Sequence, residues 1–325
     1  MINTISKIKS FVSWQFGVTI TLALLLVICA GYIPAQAAAK GVQHKTYASP
    51  EEAVKSLVDA VKSDDAKALR AILGPESEKV ISSGDDVADQ EGRKKFMKAY
   101  DEKNKIEMTS DTKAVLYIGE KDWPLPIPIV KKGQTWSFDT KAAKVEILNR
   151  RIGRNELSTI QLCLAYVDAQ MEYALKDNDG DGLFEYAQKF WSDPGKKNGL
   201  YWETKEGEDS SPFGLLVAEA AKAGYGKQKS SNQPSPYHGY YLKILKAQGK
   251  NAPGGVYDYV VKDNMIGGFA LVAYPAQYGN SGVMTFIVNQ AGVVYQKNLG
   301  KDTAKIAQAI KLFDPDKTWK KVESQ

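Results

Sequence analysis

From Lys141 to Ala174 the chain holds one hydrophobic period without a strong helix breaker, and this stretch constrains the fold more than any other. Val145, Leu148, Ile152, Ile160, Val167, Met171 and Ala174 trace one face at helical spacing. Gly153 is the one position where such a helix could break. The pattern reads as a connecting helix over 141–154 that becomes the main helix of a second domain over 155–325.

On either side the order is helices first and strands after. Following a tail at 38–48, Ser49-Pro50-Glu51-Glu52 reads as a helix start. Ser49 caps, Pro50 takes the first helical position and Glu52 completes a capping box. Val54, Leu57, Val58 and Val61 then form one buried stripe. Leu69, Ile72 and Leu73 mark a second helix stopped by Gly74-Pro75, and a third is expected from about Asp89 to Lys103. Strand signals follow at Lys113–Gly119, and Lys132-Gly133 leads a hairpin into Thr135–Phe138. Pro124, Pro126 and Pro128 are spaced by two, which suits an extended edge or a polyproline stretch. After the long helix, Phe213–Ala223 reads as a short helix. Strands are expected at Tyr240–Leu245, Val256–Val261, Phe269–Tyr274, Met284–Val288 and Val293–Lys297, with a closing helix from Thr303 to Leu312. The expected class is α+β: an N-terminal domain over 49–140 and a C-terminal one over 155–325, each with helices packed on an antiparallel sheet. In general shape the first resembles the cone-like nuclear-transport-factor group.

The N-terminus reads as a secretory leader. Lys7 and Lys9 precede an apolar run from Phe16 to Ile33, Pro34 breaks it, and Ala35-Gln36-Ala37 offers a cleavage pattern. The run is short for a spanning helix, which needs about 20 apolar residues. Residues 1–37 are thus expected to be removed near Ala37, leaving a periplasmic or secreted protein that meets a membrane only if the leader stays uncleaved. The formal charge of +5 includes the two leader lysines, so the remainder is too weakly basic for a nucleic-acid footprint. Of the two cysteines only Cys163 lies beyond the leader, so no intramolecular disulfide is expected there, and its apolar helical setting suits a structural thiol.

Several strings resemble an exported bacterial family, domain of unknown function 2950: Ile81-Ser82-Ser83-Gly84-Asp85, Trp123–Pro128, Asn149–Glu156, Pro236–Tyr241 and Met265–Leu271. The resemblance spans nearly all of the chain beyond the leader and implies export, with no assigned activity or catalytic residue. Residues 155–300 are also weakly similar to type IV pilin and pseudopilin headpieces. The leader lacks the acidic residue those proteins carry early in their hydrophobic helix, so this likeness implies shape and not polymerisation.

Chemistry is most visible at Asp177-Asn178-Asp179-Gly180-Asp181-Gly182-Leu183-Phe184-Glu185. Asp177, Asp179 and Asp181 occupy positions one, three and five of an EF-hand-type loop, Gly182 the turn, Leu183 the carbonyl position and Glu185 position nine. A second helix is expected over Phe184–Trp191. Gln188 stands at position twelve, where a bidentate Glu belongs, so calcium would bind weakly, at ~10⁻⁴ to 10⁻³ M, in a structural role. The plain alternative is a solvated acidic turn.

Beyond the leader the histidines are His44 and His238, and no Gly-x-Ser-x-Gly elbow is present. Tyr237, His238, Tyr240 and Tyr241 could line a ligand groove, or fill the core face of a strand. Arg150, Arg151 and Arg154 read as a solvated helix face or a contact between domains, with anion binding as the alternative. The favoured expectation is a non-catalytic envelope protein with a binding or assembly role, an unidentified envelope partner or ligand, and a calcium loop. Its alternatives are a cell-envelope hydrolase using His238 or a carboxylate pair, and a pilin-like secretion component.

Overall fold

The computed structural model describes residues 43–323 except 206, 223, 224 and 226–235. The expected leader and its cleavage site lie outside the described residues. The described residues belong to one compact unit. Within it the apolar side chains gather into two cores.

The first core lies under the N-terminal helices. Helix α1 (Pro50–Lys62) starts where Ser49 Oγ accepts from Glu52 N at 3.2 Å, while Glu52 Oε2 accepts from Ala48 N, one residue earlier than an ideal box. Helix α2 (Ala66–Leu73) is capped by Asp65 and stops at Gly74. A 3-10 turn (Pro75–Ser77) and the short α3 (Glu78–Ile81) lead to α4 (Asp86–Glu102), which begins at Asp86, earlier than expected, because Asp85 caps it. Strands β1 (Asn104–Ser110), β2 (Lys113–Ile118), β3 (Trp123–Pro124), β4 (Ile129–Lys132) and β5 (Thr135–Phe138) form an antiparallel sheet in the order β1-β2-β4-β5, with β3 also beside β2. The proline stretch shares one side of β2 with β4: Pro124 pairs with Tyr117 and Ile129 with Ala114. Between those pairings the missing N–H groups keep Pro126–Pro128 out of the ladder.

Helix α5 (Thr140–Tyr173) is continuous for 34 residues, about 50 Å. Gly153 does not break it. Its first turn packs Ala143 into the first core, and Cys163, Tyr166, Val167 and Tyr173 pack into the second. Val145 and Met171, expected on the buried face, are 67% and 41% exposed. The buried stripe runs instead through Thr159, Leu162, Cys163, Tyr166 and Gln170, since a helix touching two cores shows each a different face. Burial pushes the Cys163 thiol up to about 12.

Helix α6 (Gly214–Lys222) precedes the second sheet. That sheet is built from β6 (Tyr240–Leu245), then β11 (Ala270–Pro275), β12 (Met284–Asn289), β13 (Tyr295–Asn298) and, after α7 (Thr303–Ala309), β14 (Lys320–Lys321), antiparallel in the order β14-β13-β12-β11-β6. The expected strand at Val256–Val261 is split, because the excursion from β6 to β11 folds into two ribbons. These pair β7 (Ala247–Gln248) with β8 (Tyr257–Asp258), and β9 (Val260–Val261) with β10 (Asn264–Met265). Every residue of β11 is buried, which requires cover on both sheet faces. Tyr166 of α5 donates its hydroxyl to Ala270 O. On α7, Lys243 Nζ donates to the carbonyls of Ala307, Gln308 and Ile310, a C-terminal cap supplied by a strand. Among the described residues no helix is long and apolar enough to cross a membrane.

Candidate functional site

The two cores meet along a polar seam. Arg151, on α5, donates from Nη1 to Lys79 O at 2.6 Å and to Asn280 Oδ1 at 2.7 Å, and from Nη2 to Val80 O at 2.7 Å. Asn280 returns a bond to Ser82 O at 3.0 Å. One turn along, Asn155 Nδ2 donates to Ser281 O at 2.9 Å, and Glu156 Oε1 accepts from the backbone of Val283 and Met284. Gly84 sits at φ +85, and a Cβ there would come within 2.5 Å of the Gln277 amide. Burial holds the Arg151 pKa below its ordinary value, opposed by the nearby Asp89.

Asp85 is the most buried acid of the seam, at 2% exposed. One oxygen accepts from Ala88 N at 3.0 Å and caps α4. The other accepts from the Tyr225 hydroxyl at 2.7 Å and from Gly239 N at 2.9 Å. Tyr225 in turn accepts from His238 N at 3.1 Å. One carboxylate thus fixes a helix start in the first half and a tight turn in the second. The turn brings His238 to φ +47, where a side chain is strained, and stacks its ring edge-on to Tyr225 and Tyr237.

Beside this network opens a cavity of about 710 Å³, within the range that takes small organic ligands. Its deep wall is apolar: Leu57 and Leu69 from the first two helices, Leu73, and Ile127 from the proline stretch are each 5% exposed or less. Its mouth is polar and includes Asp89, Lys95, Arg154, Asn155 and His238. Burial raises the Asp89 carboxyl pKa, although Ser83 N donates to it at 2.8 Å. Burial lowers the His238 pKa; Asp85 opposes and Lys95 adds to that effect. The imidazole is therefore mainly neutral at pH 7, and among the described residues its ring nitrogens make no hydrogen bond.

A family model described as protein of unknown function (DUF2950) matches residues 44–322. The chain belongs to that family. Of the strings that resemble DUF2950, Ile81–Asp85, Asn149–Glu156 and Pro236–Tyr241 meet at the seam, and Trp123–Pro128 lends Leu125 and Ile127 to the cavity wall. No curated protein and no solved structure matches the chain.

The four aromatic candidates do not share one surface. Tyr237 and His238 stand before β6, and His238 lines the cavity. Tyr240 is wholly buried, with its hydroxyl donated to Met284 O, and Tyr241 stacks on Tyr274. His238 is thus a turn residue and not a strand residue. Of the three arginines, Arg150 pairs with Glu146 on its own helix, Arg151 crosses the seam to neutral acceptors, and Arg154 is exposed at the mouth. Asp85 entered the sequence reading only as the end of a family string, and Tyr225 and Lys95 escaped it, for nothing local to them signals a cavity. Only Asp85 left a trace, as a capping residue three positions before Ala88.

The acidic loop lies against the β9–β10 ribbon. Carboxylate oxygens of Asp177, Asp179 and Asp181 lie within 4.8 Å of one another, all three residues exposed. Asp177 accepts from the backbone of Gly180 and Gly182, and Asp181 accepts from Leu183 N and from Asn264. Gly182 takes the turn at φ +89, and the side chains at positions nine and twelve have hydrogen-bond partners. Glu185 accepts from Met265 N, and Gln188 donates to Asp263 O and accepts from Lys246. The expected helix over Phe184–Trp191 does not form: the segment is irregular chain with bends at Gln188 and Phe190. Tyr186 N and Ala187 N are already engaged by Met265 O and Gln170 Oε1, and Phe190 and Ser192 pair with Tyr201. These tertiary bonds outweigh a local helix. Burial, and then the neighbouring aspartates, raise the Glu185 pKa.

Proposed function

We propose that this protein is exported and serves as a non-catalytic binding module, with the seam cavity as its ligand seat. Its two cores are read as two domains, 49–140 and 155–325, and the first as similar in shape to the nuclear-transport-factor cone. The cavity of about 710 Å³, lined by apolar side chains and opening on a polar mouth, is the observation that carries the reading. The test is titration of the full chain with a neutral naphthylamine dye whose emission rises in apolar surroundings. Binding that Ala88→Trp abolishes, with thermal stability retained, is expected; dye binding untouched by that filling substitution would sink the reading.

A hydrolase is the second reading, favoured by His238 in the cavity wall near Asp85. It requires ester or amide turnover that His238→Asn removes.

The acidic loop is read as a structural calcium site. Three convergent carboxylates fit a hard cation, while Glu185 and Gln188 are engaged by the β9–β10 ribbon, so the site is weaker than an EF-hand. Millimolar calcium is expected to raise the melting temperature relative to chelator, and Asp179→Ala to lose that rise. No shift in either protein would leave an acidic turn.

A further inference from the structure

The charges at the cavity mouth do not balance. Arg93 is held by Asp64 at 2.7 Å and Glu91 by Lys94 at 2.7 Å, so both are spoken for. Asp89 is drawn inward onto Ser83 N, and Arg151 is committed to two carbonyls and an amide. Lys95 and Arg154 remain, both exposed and both lining the cavity, with no ion pair among the described residues. Neutral His238 adds a ring that can donate one hydrogen bond beside them. Behind these groups the wall is leucine, isoleucine and valine with Ala88 and Phe96. A cavity apolar within and cationic at its lip complements a molecule with the opposite polarity along its length.

We infer that the ligand is an anionic single-chain amphiphile, a long-chain carboxylate, with its headgroup between Lys95 and Arg154 and its chain along Leu57, Leu69, Leu73 and Ile127. This rests on the binding reading above. An exposed ammonium and guanidinium each contribute modestly in water, but more against a carboxylate at the edge of an apolar wall, where solvent is partly excluded. Chain length contributes separately: each buried methylene tightens binding about fourfold until the cavity is filled.

The test displaces the neutral dye from the full chain with saturated C10, C12 and C14 carboxylates and with the matching primary alcohols, all below micelle formation. The carboxylates are expected to bind roughly tenfold more tightly than the alcohols. The double variant Lys95→Gln/Arg154→Gln should erase that difference and leave the alcohols unchanged. Both substitutions are on exposed side chains, so the fold tolerates them, and an unchanged melting curve verifies this. Equal binding of acids and alcohols overturns the ligand class and leaves the cavity reading standing. A double variant that keeps the acid preference overturns the assignment to these two residues. Failure of the dye itself to bind overturns both.

Discussion

His238 shows how a single residue can report on the seam. Its backbone is held in the left-handed region by the Asp85–Tyr225–Gly239 bonds, and its ring is half-buried at the cavity mouth. Burial favours the neutral imidazole, so the folded chain takes up this proton at lower pH than the unfolded one. Below about pH 6.5 the unfolded chain binds the proton first, and the stability held above that pH is lost as pH falls through the lowered value. His238→Asn keeps a residue that tolerates positive φ and removes the titration. Urea unfolding from pH 7.5 to 5 should show a shallower loss of stability in the variant. Identical pH profiles would mean that the ring is solvated after all.

At the scale of elements, α5 is the part most legible in the sequence, and the one whose weak point was misjudged. A glycine inside a helix costs roughly 0.5–1 kcal/mol relative to alanine, which is too little to break a helix packed at both ends. Gly153 is helical, and a Cβ built on it meets nothing within 4 Å. Gly153→Ala is therefore expected to stabilise the chain by about 0.5–1 kcal/mol, and calorimetry should show a melting point about 1–3 °C higher. A lower melting point would reveal a bend that alanine cannot follow. Phe184–Trp191 makes the opposite case. Its residues can form a helix, but the backbone donors of Tyr186 and Ala187 found partners in Met265 and Gln170.

Across the whole molecule, the two cores are tied by polar contacts as well as by the shared helix. Arg151 is a hub, since it bonds to Lys79 and Val80 in the first half and to Asn280 in the second. Arg151→Ala leaves those acceptors short of a charged donor and should cost about 2–4 kcal/mol. It should also loosen the coupling of the halves. Trp136 reports on the first core, while Trp202 and Trp319 pack against the second. In the variant the tryptophan fluorescence and far-ultraviolet dichroism transitions should no longer coincide, as they do for a two-state chain. Coincident transitions with an unchanged midpoint would make the seam incidental.

The sequence alone determined the α+β class, the family, the caps at Ser49 and the long helix, and most strand positions. Each of these is written in neighbouring residues: a period, a cap, a turn. It also set three aspartates close together, because alternate positions of one tight loop converge. Tertiary structure decided the rest. The cavity draws its wall from Leu57, Phe96, Ile127, Arg154 and His238, residues separated by as much as 181 positions, so no local pattern marks them as neighbours. The same holds for Asp85 and Gly239, joined by one hydrogen bond across two halves of the chain. Burial of a carboxylate, the strain at His238 and the cations at the mouth, without an ion pair among the described residues, exist only once those distant segments have packed, for they are properties of surroundings and not of residues.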